Sequence, residues 1–225
     1  MIYITGDTHG DIDSGKLTNK RFPQQKLLTK DDYLIICGDF GYIWWGNRKD
    51  LYWIQWLSRK PWTTLFVDGN HENFDIINDY PVSEWNGGKI HKITDSIFHL
   101  MRGQIFNLCG KTFFTMGGAV SYDKKYRSPG TSWWPQEVPS YEEFWDAQEN
   151  LRKTNSVDYI LTHDCPSDIL PNIGAHYKPN AVTEFLNTVY HTTNFKQWYF
   201  GHHHKDVDID ANMHCVYQNI ILLEE

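Results

Sequence analysis

The chain has 225 residues, 40% of them hydrophobic, which suits one globular domain with a substantial core and does not require a second. Its 21 basic and 28 acidic residues give a formal net charge of −7, so the overall field does not draw in nucleic acid or an anionic membrane; a small phosphate ester, or a nuclease using local cations, remains compatible. No run approaches a membrane span, and Cys37, Cys109, Cys165 and Cys215 lack CxxC spacing, so zinc-ribbon and dithiol redox motifs are not indicated.

The opening Met1-Ile2-Tyr3-Ile4-Thr5 reads as an apolar strand with no basic leader, and with the scattered cysteines it suggests reduced thiols in cytoplasm. Tyr33 to Cys37 and Thr63 to Val67 read as buried strands, with a helix between them carrying Leu51, Ile54 and Leu57 beside Trp53 and Trp56. That β-α-β order favours parallel neighbours. From Phe98 to Met116 the pattern becomes short strands that look antiparallel, with Cys109-Gly110-Lys111 as the turn between residues 105–108 and 112–115. Ser140 and Glu143 have capping-box spacing for a helix from Tyr141 into Leu151 that buries Phe144 and Leu151. Asp158 to Leu161 and Gln197 to Phe200 read as strands, Asn180 to Tyr190 as a helix, and His214 to Leu223 as a tail that closes a sheet.

Five of these apolar runs end in residues with nitrogen or oxygen donors: Asp7-x-His9, Gly38-Asp39, Gly69-Asn70-His71, His163 and Gly201-His202-x-His204. Groups just beyond the carboxyl ends of strands in an open α/β sheet converge on one crevice. Side chains at i and i+2 of an extended segment share a face, so Asp7 with His9, and His202 with His204, can each present two donors together, while His203 points away. Each block alone has a plainer reading, as a polar turn, a hydrogen-bonded structural histidine or a solvated loop. Five coincidences in order, all after apolar strands, favour a metal site. The donors include no thiolate and suit Mn²⁺, Fe or Zn²⁺ better than Ca²⁺. Seven of them are too many for one tetrahedral ion and suit two ions with a shared water or hydroxide as nucleophile.

The ordered blocks DxH, GD, GNH[DE], H and GHxH resemble the calcineurin-like metallophosphoesterases over most of the chain, from Asp7 to His204. The resemblance implies a four-layer α-β-β-α fold, an α/β class in which a two-sheet β-sandwich is flanked by helices, in a single domain spanning 1–225. It also implies that Asp7, His9 and His204 hold one metal, that Asn70, His163 and His202 hold a second, that Asp39 bridges them, and that His71 assists departure of the leaving oxygen. Two divalent ions, manganese foremost with iron or zinc as alternatives, are the implied cofactors. The substrate would be a phosphomonoester or phosphodiester, including nucleotides. A nuclease, or a noncatalytic metal-binding scaffold with a protein partner, is the alternative.

After Gly38-Asp39 comes Phe40-Gly41-Tyr42-Ile43, which lacks the GDxxDRG pattern of the Ser/Thr protein phosphatase branch and so lacks both its phosphate-binding arginine and its carboxylate partner for the histidine. A replacement cation is sought between residues 117 and 140, a candidate substrate-cleft insertion similar to a stretch in some bacterial members. There Arg127 would hold phosphate and Trp133-Trp134 would wall a cleft or stack on a base, the other reading being an ordinary loop with a solvated basic run. Arg102 is a fainter candidate. Glu72 is expected to begin a helix or to orient His71, with the helix role preferred. His91, His99, His176, His191 and His214 are expected at the surface or in packing, and His203 in a supporting role.

Overall fold

A computed structural model of the chain describes residues 1–154, 156–175 and 178–223, so His176 lies outside the described residues. Strands β1 (Ile2–Thr5), β2 (Tyr33–Cys37) and β3 (Thr63–Val67) pair in parallel, with helix α1 (Arg48–Ser58) crossing between the last two. Asn47 caps α1 by accepting from Lys49 N. Ile54 and Leu57 face inward as expected, but Leu51 is exposed. The inward position of that first turn belongs instead to Asp50, whose Oδ2 accepts from the backbone N–H groups of Trp44, Trp45 and Gly46 at 2.7, 2.7 and 2.8 Å.

A single-turn helix, α2 (Phe74–Ile77), leads into β4 (Val82–Trp85), β5 (Gly88–Thr94), β6 (Ile97–Leu100), β7 (Gln104–Leu108) and β8 (Lys111–Met116). The antiparallel pairing expected here holds for β7 with β8, through a turn in which Cys109 and Gly110 both have positive φ, 52° and 76°. It does not hold throughout, because β6 lies parallel to β3. Helix α3 (Tyr141–Arg152) has the full Ser140–Glu143 capping box and buries Ala147 and Leu151, with Phe144 partly buried against Phe185. Then come β9 (Ser156–Thr162), α4 (Ala181–Thr192) capped by Asn180, and β10 (Asn194–Phe200). The tail serves both sheets: β11 (Val207–Asp208) and β12 (Met213–Cys215) extend one, β13 (Ile221–Leu222) the other.

The sheets run β13-β1-β2-β3-β6-β5-β4 and β11-β12-β10-β9-β8-β7. Their facing sides bury Ile4, Ile35, Leu65, Phe106, Phe113, Leu161 and Tyr199 between them. Leu34, Ile36 and Phe66 point the other way onto Ile54, Leu57 and Trp62, while Ile160, Trp198 and Phe200 pack on Leu151, Leu186 and Val189. Both faces of the inner strands are therefore covered, which is why they read as unbroken apolar runs. The result is the four-layer α-β-β-α sandwich. Among the described residues no helix is long and apolar enough to cross a membrane.

Candidate metal centre

The parallel strands β1, β2 and β3 of one sheet, and β9 and β10 of the other, deliver all five blocks to one end of the sandwich. Asp7, His9, Asp39 and His204 place one donor atom each within 4.8 Å of one another. His163 Nε2 stands 3.2 Å from Asp39 Oδ1 and 3.1 Å from Asn70 Oδ1, and the His202 ring lies 5.0 Å from the His163 ring. Asp39 joins the groups, because its other oxygen, Oδ2, is 3.2 Å from His9 Nε2. Asp7 Oδ2 is buried with no well-formed hydrogen bond, and His204 Nε2 stands 3.1 Å from it.

The route to this arrangement differs from the extended pairs expected. His9, Asp39, His202 and His204 all have positive φ, between 43° and 64°, so the chain curls at each strand end and the i, i+2 argument does not apply. Each such residue costs about 1–3 kcal/mol unless its surroundings hold it. Here they do: His71 N donates to Asp39 Oδ1 at 2.7 Å, and His202 N to Asp7 Oδ1 at 3.0 Å. The motif glycines leave room for the donors. A Cβ on Gly38 would stand 2.0 Å from His163 Nδ1, and one on Gly201 would stand 2.2 Å from Asp7 Oδ1.

Several supporting residues were not singled out from sequence. Asp13 Oδ2 accepts from His9 Nδ1 at 2.8 Å, which turns Nε2 toward Asp39. Ser121 Oγ accepts from Asn70 Nδ2 at 3.1 Å and donates to Glu137 Oε2 at 2.5 Å, so the amide oxygen of Asn70 faces the centre. Lys16, buried beneath, donates to the carbonyls of Gly6 and Asp7, both at 2.8 Å. Glu72 neither begins a helix nor orients His71. It is fully buried and accepts from Phe40 N and Gly41 N at 2.6 and 3.2 Å, tying the GD and GNH loops together, while α2 takes Asn73 as its cap. Burial, then the nearby Asp39 charge, pushes Glu72 up to about 8.

Electrostatics follow the same geometry. Burial opposes charge on His163 and His9, but Asp39 outweighs it and raises them to about 10 and about 9. Asp39 in turn is held well below the usual carboxylate range, since His163 and His9 overcome its desolvation. His202 is driven down to about 4 by burial and is a neutral donor. A divalent cation held here would displace the Nε2 protons of His9 and His163, and the donor set fits such an ion. Asp13→Ala is expected to weaken metal binding by about 10–100-fold with the fold intact, read by metal titration and circular dichroism; unchanged affinity would rule out its orienting role.

His71 lies at the edge of the centre, 5.4 Å ring to ring from His9. Arg127 reaches it from the 117–140 segment, with Nη2 at 2.9 Å from Nε2 and Nη1 at 3.3 Å from Nδ1, and is ion-paired to Asp123 at 2.8 Å. A guanidinium only donates and a neutral imidazole accepts through one nitrogen, so the ring is neutral there and the shorter contact, to Nε2, is the hydrogen bond. Arg102 is elsewhere: buried, it donates to Asp68 and Glu143, and Asp68 continues to His99 and His91. Those two histidines are in packing, as expected, but within a buried polar chain. His191 pairs with Asp168 and His214 with Asp208 at the surface, and His203 supports Asp164 at 3.2 Å. Trp134 is buried, donating to Asp75 at 2.7 Å and packing edge-on against Trp44.

A four-layer sandwich whose parallel strands end in clustered imidazole, carboxylate and amide groups is a scaffold that gathers metal donors at one crevice. Residues 1–206 match the calcineurin-like phosphoesterases, and the chain belongs to that family. It is also 23% identical over 201 residues to a lariat debranching enzyme of Caenorhabditis briggsae, a match covering 77% of this chain and 37% of that protein. The chain thus matches well under half the length of that curated relative.

Proposed function

We propose that the chain is a dinuclear phosphoesterase in which Asp7, His9 and His204 hold one divalent ion, Asn70, His163 and His202 hold the other, and Asp39 bridges. The supporting observation is the split of Asp39, one carboxylate oxygen 3.2 Å from His9 and the other 3.2 Å from His163. Bound ions supply charge neutralisation on the phosphoryl group and activation of water. Manganese is the first candidate, with iron or zinc next. The protein's own part is to fix the donors, to place Arg127 where a phosphate can take its guanidinium from His71, and to set His71 beside the leaving oxygen. The chain is read as one domain, 1–225, with 117–140 as its substrate-cleft insertion. Cys37, Cys165 and Cys215, buried and free, support a reducing, cytoplasmic setting.

The substrate is a phosphomonoester or phosphodiester. The debranching-enzyme relative favours a nucleic-acid reading, and the net charge of −7 weighs against a long polyanion. Metal-free protein resupplied with Mn²⁺, Zn²⁺ or Fe²⁺ is expected to recover turnover at two ions per chain on mono- and diester substrates, nucleotides or single-stranded oligonucleotides. No turnover with any metal would leave the noncatalytic scaffold reading. Saturation at one ion would end the dinuclear one.

A further inference from the structure

A cleft of about 230 Å³ opens directly from the metal centre toward α1. His9 and His71 line it at the metal centre, and Tyr42, Trp44, Trp45 and Trp53 line it as well. These aromatics are set before any ligand arrives. Asp50 binds the N–H groups of Trp44 and Trp45, Asn73 Nδ2 donates to Trp44 O at 2.7 Å, and Trp134 backs the Trp44 ring at 5.3 Å. Trp45 is nonetheless 57% exposed, a residue held by its backbone. At the mouth Asp11 and Lys49 form a 3.0 Å ion pair, offering acceptor and donor groups.

We propose that this cleft is the subsite for the leaving group and that it takes the base of a nucleotide, with the ribose nearer His9 and His71. The inference rests on the phosphoesterase reading, since that reading makes the occupant continuous with the phosphoryl group. His71 lines the cleft, so the departing oxygen belongs on this side. The imidazoles of His9 and His71 stand at the metal centre and the indoles of Trp44, Trp45 and Trp53 line the same cleft, a pairing of polar and aromatic groups that suits a nucleoside. Stacking on a π face tolerates any base, so the cleft selects for the presence of a base more than for its identity.

The test measures binding by calorimetry on the Mn²⁺-loaded full chain, using adenosine 5′-monophosphate, ribose 5-phosphate and O-phosphotyrosine, with p-nitrophenyl phosphate and bis(p-nitrophenyl) phosphate turnover followed in parallel. Adenosine 5′-monophosphate is expected to bind about tenfold or more tightly than ribose 5-phosphate. Trp45→Ala is expected to cut that preference to below about threefold while leaving ribose 5-phosphate affinity unchanged. Trp145→Ala, at an indole 53% exposed on α3, should change neither. Equal affinities in the unmodified protein, no binding of either sugar phosphate, a preference that survives both Trp45→Ala and Trp44→Leu, or tightest binding of O-phosphotyrosine would each overturn the subsite. Turnover without a base preference ends this inference alone, whereas a base preference without turnover on any ester ends the hydrolase reading and the leaving-group role with it, and leaves a nucleotide-binding cleft.

Discussion

Asp39→Asn is expected to lower kcat/KM by about a thousandfold or more, on the order of 4 kcal/mol of transition-state stabilisation, and to reduce bound metal to one ion or fewer. Its two carboxylate oxygens touch His9 and His163, one in each donor group, and the amide keeps the shape of the carboxylate while losing the charge that would neutralise two cations. The metal-free protein supplies an independent readout. His9 and His163 have folded pKa values of about 9 and about 10 against an ordinary 6.5, so between those limits the native state holds protons that the unfolded chain has released. Their contribution to stability is full below about pH 6.5 and lost as pH rises through 9 to 10. Asp39, lowered well below its ordinary 3.8, contributes above that pH and loses its contribution as pH falls through the folded value. Metal-free wild type should therefore lose melting temperature steadily from pH 7 to pH 10. Asp39→Asn should flatten that alkaline decline, because the anion that holds both protons is gone. Full activity in the variant, or an alkaline decline identical to wild type, would remove Asp39 from the bridge.

What sequence reading recovered, and what it did not, divides along a physical line. The clustering of the five blocks was legible because their imidazole, carboxylate and amide groups stand at the ends of apolar runs, and the first β-α-β unit because Tyr33–Cys37 and Thr63–Val67 are buried on both faces. Asp13, Ser121, Glu137 and Glu72 were invisible in their roles, being ordinary polar residues whose partners lie in other loops; Ser121 and Asn70 are separated by 51 positions. The pairing of Asp7 with His9 was anticipated for a reason the backbone contradicts, since left-handed φ values rather than extended geometry bring these groups together. The β4–β5 hairpin escaped notice because Val82, Ser83 and Glu84 are exposed at a sheet edge and show no apolar alternation. The parallel placement of β6 beside β3 is a long-range choice that local pattern does not encode.

The second large effect concerns His71. Burial, reinforced by the Arg127 charge and only partly offset by Asp39, lowers its pKa, and Arg127 donates to the ring in the unliganded site. A neutral imidazole pressed by a guanidinium is a poor acid. A bound phosphate changes this, because its oxygens attract the guanidinium and place negative charge beside the ring, both of which favour the imidazolium. In the proposed mechanism the substrate would thus create the acid it needs. His71→Ala is expected to lower kcat by about 10²–10³-fold on alkyl or nucleoside esters, whose alkoxide leaving groups require a proton, and by less than about tenfold on p-nitrophenyl esters, whose leaving group does not. Arg127→Ala should raise KM by about tenfold on both classes through loss of a charged phosphate contact. It should also move the alkaline limb of the kcat/KM profile upward, since removing a cation beside His71 raises its pKa in the free enzyme. Equal losses on good and poor leaving groups in His71→Ala would make the residue a binder of phosphate and not a donor to the leaving oxygen. An unmoved alkaline limb in Arg127→Ala would show that the two side chains, though 2.9 Å apart, are not coupled in solution.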